Sequence, residues 1–521
     1  MMRWKQTFRA ALTAMACAAL LTGCLLGPDY RRPELPTPAT FDNQFELQQT
    51  GEEFWWRGFK DAALNGLVEM ALRRNISIEA AIRQFEGLNA GVRAAQSDLF
   101  PTIDAQVNRN QNFTSDDAQG RLDDNGNPFI RSRGIAQLVF TPDFFGRSRR
   151  AVQRARANRN RQAYAILDLR RLTAASVAER YVEVRRARAR LSLLEESLAL
   201  QSQTLEIVRA RRSAGLAAGL DVSRAQADLA STRAQRGPLM TTEGAAIYDL
   251  AVLLGRTPGE DVLDGAVAAI PSFVAGPPIG VPADLVRRRP DILQAEQALI
   301  AATAEIGIEA ADLFPSFRIP GDLSVDLEGP GIGDAVVATV SSRVDIPLFD
   351  AGRRRAEIRA ARSRTEAAKL GYRLALLEAM RDVETALIGI EAAAMRRDEL
   401  AAAVEASEAA YRQLNALYKE GLSNLTDLLD GQRQLISNRE SYVNSEADLA
   451  VAVIALYLAV GSPTGEPYVE DDVIDKPARR NLYRTVRAAL GVPTSADVAE
   501  ITGDTEAAGA NEGDDAATPE Q

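Results

Sequence analysis

The chain contains no histidine and only two cysteines, Cys17 and Cys24, among its 521 residues. These absences remove a Cys/His zinc centre and any His-based triad. No GK[ST] phosphate loop occurs either. Carboxylate chemistry is all that is left to an enzyme, so the chain is read as a non-enzyme without cofactor or metal. Past Cys24 no uninterrupted apolar run reaches about 18 residues, and no membrane-crossing helix is expected. A mature chain that enters a membrane must therefore do so with strands. The net charge of -10 disfavours nucleic acid. Hydrophobic residues still make up 46% of the chain, enough for a large core.

The N-terminus carries Arg3, Lys5 and Arg9 ahead of an apolar stretch, Ala10 to Leu21. That order is a targeting leader. Leu21-Thr22-Gly23-Cys24 looks like a lipobox, which makes 1–23 the leader and Cys24 an acylated N-terminus. Each buried acyl CH₂ contributes about 0.8 kcal/mol, so several chains hold firmly. Leu25, rather than Asp, follows Cys24. In the lipoprotein sorting rule that this resembles, Leu25 permits export to the outer membrane.

One block occurs twice. Asp98-Leu99-Phe100-Pro101 returns as Asp312-Leu313-Phe314-Pro315. Gly215 with Asp221 returns as Gly421 with Asp427, at the same spacing. A repeat this long is a duplicated domain. The expected division is a lead-in over 24–60, a first repeat over 61–255, a Pro/Gly-rich linker over 256–289, a second repeat over 290–461, and a C-terminal segment over 462–521. That segment includes an acidic stretch, 493–521, whose composition predicts disorder.

Each repeat reads as short helix, strand pair, very long helix, glycine turn, medium helix. Two helices are expected at about 61–74 and 77–98, the second capped by Ser77. The strand pairs fall at about 101–141 and 315–346. Ile103, Ala105 and Val107 alternate with Asp104, Gln106 and Asn108, and Leu323, Val325 and Leu327 alternate with Ser324 and Asp326. One apolar and one polar face suits a membrane barrel, and equally an exposed antiparallel sheet. Arg147 to Ala214 contains neither Gly nor Pro, and Arg353 to Glu420 no Pro. At 1.5 Å per residue each such helix spans on the order of 100 Å. Leu191, Leu194, Leu198, Leu205 and Val208 give the first a coiled-coil seam. Medium helices follow at about 220–255 and 425–460. Four strands cannot close a barrel, and bacterial barrels begin at about eight strands. If these strands enter the membrane, several chains must therefore share one wall, and three chains give about twelve strands.

Further motifs bring a family into view. Gly27-Pro28-Asp29-Tyr30-x-x-Pro33 follows the Cys, and Trp55-Trp56 with Phe59, Asp61, Leu64 and Leu67 comes next. Pro282-Ala283-Asp284-Leu285-Val286-Arg287-Arg288-Arg289-Pro290-Asp291-Ile292 lies between the repeats. Asp143-Phe144-Phe145-Gly146-Arg147 and Pro347-Leu348-Phe349-Asp350-Ala351-Gly352-Arg353 mark the strand-to-helix corners. In that order the chain resembles the TolC-like outer-membrane efflux lipoproteins of the OprM/NodT type, from the lipobox to about residue 470. The resemblance implies an α+β membrane protein in two tandem repeats. It implies a homotrimer with a twelve-stranded outer-membrane β-barrel, four strands per chain, continued by an α-helical coiled-coil barrel through the periplasm. The implied partners are outer-membrane lipid, a periplasmic adaptor and an inner-membrane RND-type pump, and the implied role is passive export.

The resemblance also places sites. The tips around Arg212, Gly215, Gly421 and Ser423 become the adaptor contact. Tyr418 is matched to the position that bonds Asp221 and holds the tip closed. Ser423 stands where some members carry a basic lock residue, which predicts a weaker closed state. Asp427 and Asp430, at i, i+3 and so on one helix face, become a carboxylate ring at the tunnel constriction. Asp427 lies near enough to the helix start to act as its cap instead. Two competing readings are a duct for protein secretion by an ABC-type exporter and a periplasmic adaptor or structural coiled coil.

Overall fold

The computed structural model describes residues 25–33, 38, 40–42, 54–111, 130–263, 269–272, 289–328 and 336–461. Cys24, the leader, positions 282–288 of the inter-repeat motif and the acidic stretch lie outside the described residues.

A short 3-10 turn, Trp55–Phe59, precedes helix α1, Ala62–Arg74. Asp61 starts α1 by accepting from the N–H groups of Ala63 and Leu64 at 2.9 and 3.1 Å. Helix α2, Ile76–Ser97, is capped by Asn75 and not by Ser77. The Asn75 N–H closes α1 on Ala71 while its side chain accepts from Ile78 at 3.1 Å, so one residue ends one helix and starts the next. Pro101 then disfavours helical backbone at its predecessor, and the strand begins at Thr102.

Strand β1, Thr102–Gln111, pairs antiparallel with β2, Ile130–Phe140. Helix α3 runs 67 residues, Arg147–Ser213, from a left-handed Gly146. The expected medium helix of the first repeat is instead two, α4 (Gly219–Ala234) and α5 (Arg236–Leu253). Pro238 has no N–H for the Ala234 carbonyl, which breaks the rod at Gln235.

Helix α6, Pro290–Ala311, opens the second repeat. Strand β3, Ser316–Glu328, pairs antiparallel with β2, and then with β4 (Val336–Val340) and β5 (Arg343–Asp345). Gly321 faces Val340 and Arg318 faces Arg343, so the register runs unbroken from β4 into β5. They are one strand interrupted opposite Pro320, which cannot donate to the ladder. The sheet order is β1-β2-β3-β4, leaving β1 and β4 as free edges among the described residues. Helix α7, Arg353–Lys419, again has 67 residues, and α8, Leu425–Val460, has 36.

The two long helices pack side by side with the shorter ones: α3 contacts α2, α4, α5, α6 and α8, and α7 contacts α6 and α8. The largest apolar cluster joins Trp55, Trp56 and Leu64 to Tyr181, Leu250, Leu387 and Ile454, and Trp55 stacks on Tyr457 at 5.5 Å. This cluster resolves one discrepancy with the sequence reading. Among the described residues, α8 is long and apolar enough by composition to cross a membrane, with a mean hydropathy of 1.6 over its best window. Its apolar end, Ala450, Val453, Ile454 and Tyr457, is buried in the cluster, so the run is spent on a protein core.

Candidate functional site

Two places combine repetition, exposure and charge: the glycine tips and the strand-to-helix corners. At the first tip α3 stops in a Schellman motif. The Gly215 N–H bonds the Arg212 carbonyl at 2.9 Å and the Leu216 N–H bonds Arg211 at 2.8 Å. Gly215 has φ 79°, where a Cβ is disfavoured. The second tip repeats the bonds: Gly421 to Tyr418 at 3.1 Å and Leu422 to Leu417 at 2.9 Å, with Gly421 at φ 76°. Leu216 and Leu422 project from the tips, 69% and 75% exposed. Arg212 lies beside Gly219.

Beneath the tips Leu205, Val208, Val222, Leu425, Leu428 and Leu429 form an apolar cluster that includes Tyr418. The Tyr418 ring is buried, and Arg211 lies over it at 4.8 Å while donating to the Tyr418 carbonyl at 2.5 Å. Burial raises the phenol pKa; the Arg211 charge works against this and the Asp221 charge with it. No hydrogen bond joins Tyr418 to Asp221. Asp221 accepts instead from the Ala218 N–H at 3.3 Å, at the start of α4. The contact between the tips thus runs through Arg211, a residue the sequence reading passed over. Its place in the last turn of a helix that ends on glycine was the available signal.

Asp427 does not cap α8. Asn424 does, accepting from the Asp427 N–H at 2.9 Å. Asp427 faces solvent with an oxygen 3.4 Å from the Ser423 hydroxyl, so Ser423 turns inward to its own helix. Asp430 is also exposed and accepts from Arg433 at 2.9 Å. Arg433 reaches across to Asp228 of α4 at 3.0 Å, which ties the two hairpins together and offsets part of the Asp430 charge. This arginine, too, was missed. Leu425, Leu428 and Leu429 point into the cluster, leaving the two aspartates on the open face.

At the corners an aspartate turns each chain into its long helix. Asp143 accepts from the Arg149 N–H at 2.9 Å and Asp350 from the Gly352 N–H at 2.9 Å. A cavity of about 560 Å³ lies there, lined by Phe144, Phe145, Phe314 and Phe317 with Arg147 and Arg353. The segment after Cys24 is fastened to the same corner. Buried Arg150 donates to the Leu26 and Gly27 carbonyls at 2.9 and 3.1 Å and to Asp29 at 3.0 Å. Tyr30 and Arg32 both donate to Glu296 of α6, at 2.7 and 2.6 Å. A Cβ on Gly27 would stand 2.6 Å from the Gly307 Cα. The Gly-Pro-Asp-Tyr motif is therefore a strap lying across both repeats.

Comparison with known proteins agrees with this architecture. A family model described as outer membrane efflux protein matches residues 67–247 and 281–462. Nodulation protein T of Rhizobium leguminosarum bv. trifolii is 30% identical over 463 residues, covering 85% of this chain and 95% of that protein. The toluene efflux pump outer membrane protein TtgC of Pseudomonas putida is 27% identical over 469 residues, covering 87% and 95%. The solved outer-membrane channel OprN superposes with a TM-score of 0.77 at 29% identity, over 84% of this chain and 99% of that one. By its two matched repeats, its long helices and its four-stranded sheet, the chain belongs to the outer membrane efflux protein family.

Proposed function

We propose that this chain is the outer-membrane exit duct of a tripartite efflux system, passing small molecules passively out of the periplasm. The observation that carries the proposal is the sheet. It has four strands in line with two edges unpaired among the described residues, and it is continued by two 67-residue helices. An open edge is not tolerated in lipid, and three copies bring the wall to about twelve strands. Cys24 is the acyl anchor, and the residues after it, Leu26 to Asp29, are fastened at the corner where the strands end. The exposed Leu216 and Leu422, with Arg212, Gly215, Gly421 and Ser423, form the surface for a periplasmic adaptor, and an RND-type inner-membrane pump supplies the cargo. Arg211 on Tyr418, near Asp221, holds the tips together. Asp427 and Asp430 line the constriction. The efflux pump relative supports small molecules as cargo.

Deleting the gene from its host tests the reading. Susceptibility to solvents and amphiphilic drugs should rise, a plasmid copy should restore it, and the purified protein should conduct in planar bilayers. A pure protein without channel activity, in a host indifferent to the deletion, would overturn it.

A further inference from the structure

The polar face of the sheet balances its charges in one place and not in another. Arg133 of β2 stands directly opposite Asp326 of β3 and donates to it at 2.8 Å. Opposite charges so placed stabilise a sheet, and like charges destabilise it. At the foot of the same face Arg318 of β3 stands directly opposite Arg343 of β5. Directly opposed Cβ atoms lie about 5 Å apart, so two guanidiniums share one spot.

Nothing in the chain neutralises the pair. Both arginines are exposed, and neither makes a hydrogen bond or ion pair among the described residues. Asp345 shares the face, opposite Ser316, but no ion pair among the described residues joins it to either arginine. The next residue of β3 on that face is Pro320, without charge, and Asp322 follows on the order of 13 Å from Arg318. Two cations thus meet one carboxylate, and the register keeps the cations together. A guanidinium fork matches the oxygens of a carboxylate or phosphate, and two forks side by side offer more donors than one such group accepts.

We propose that Arg318 and Arg343 form an anion station in the duct, where the carboxylate, sulfonate or phosphate of a passing small molecule binds between the two guanidiniums. The inference rests on the exit-duct reading above and adds a charge class to its cargo. Polar faces of membrane barrel strands point into the lumen, which sets the pair at the inner mouth of the barrel. Three copies bring about six guanidiniums to one level. A station on a conduit must release what it binds, and exposed arginines beside Asp345 hold an anion less firmly than a buried cluster does.

The test uses the full channel in planar bilayers, with inorganic tripolyphosphate as the probe. Tripolyphosphate should block the current of the unaltered protein. Arg318→Gln with Arg343→Gln should raise the half-blocking concentration about tenfold, the loss expected for one or two charge-assisted hydrogen bonds. Arg318→Lys with Arg343→Lys keeps the charge without the fork and should fall between the two. Asp345→Asn should lower the half-blocking concentration, a shift opposite to that of a damaged fold. Block by a trivalent cation should not change in the glutamine variant, because the tip aspartates lie on the order of 100 Å away, far beyond the Debye length. A conducting channel that tripolyphosphate does not block, or blocks equally in the glutamine variant, overturns the station and leaves the duct standing. A protein that does not conduct overturns both. Native mass spectrometry of the glutamine and lysine variants adds one more reading: trimers that fall apart in both mean that the arginines serve assembly, and overturn the station.

Discussion

At the residue scale the tip region depends on where a few charges point. Asp427 is open to solvent, whereas Asp430 shares Arg433 with Asp228. Carboxylates gathered around a narrow axis attract cations, because unit charges 4 Å apart interact by about 1 kcal/mol even in water. Asp427→Asn with Asp430→Asn should therefore weaken block by a trivalent cation in planar-bilayer conductance. Arg433→Gln, by releasing Asp430, should strengthen it. Block unchanged in both variants would remove these residues from the constriction. The same ionic link explains why Asp430 is legible from sequence only in part: its helical spacing from Asp427 is written in the chain, but the arginine that half-neutralises it also bonds a residue from another hairpin.

At the element scale the inter-repeat motif has a structural use that its spelling did not reveal. Arg289 is buried just before α6 and donates to the Ala459 carbonyl at 2.8 Å, to Asp291 at 2.7 Å and to Asp382 of α7 at 3.2 Å. Arg171 of α3 bonds the neighbouring Leu458 carbonyl. Arg171 of the first repeat and Arg289 at the end of the linker thus close the C-terminal end of α8, where the last carbonyls of a helix run short of backbone N–H partners. Gly461, at φ 72°, leaves room for them, since a Cβ there would meet the Arg289 Cγ at 2.7 Å. Arg289→Ala should cost about 1.5–3 kcal/mol, the usual range for hydrogen bonds to a charged group, read as a lower midpoint in denaturant. Burial opposes ionisation of Asp291, but the bonds and charge of Arg289 outweigh it and hold the carboxyl below its ordinary value. A depressed carboxylate stabilises the fold at neutral pH and loses that contribution as pH falls through its folded value. The acid limb of unfolding should consequently flatten in Arg289→Ala. An unchanged midpoint and acid limb would show that the clamp contributes nothing.

At the scale of the whole molecule, one chain is an unfinished object. Val336, Val340, Ile103 and Val107 stand exposed on the sheet, and its outer strands have no further partner among the described residues. A lone sheet of this kind is an aggregation hazard in water and unsatisfied in lipid. The chain should resist a salt wash, leave the envelope only with detergent, and run unheated at about three times its mass. It should incorporate radiolabelled palmitate, and Cys24→Ser should abolish the label. Label retained in that variant would place acylation elsewhere.

The sequence by itself determined the duplication, the long helices and the alternating strands. Those follow from local chemistry: helix formers without Gly or Pro, period-two alternation, and glycines at φ-positive stops. Pro238 in the first repeat also had its effect within reach of local reasoning, because a missing N–H breaks a helix wherever it falls. Only the tertiary structure decided that Arg211 covers Tyr418, that Arg433 spans two hairpins, that Arg289 closes α8, and that the apolar end of α8 is core. Each of these joins residues far apart in the chain, by a distance and a direction that no local pattern encodes.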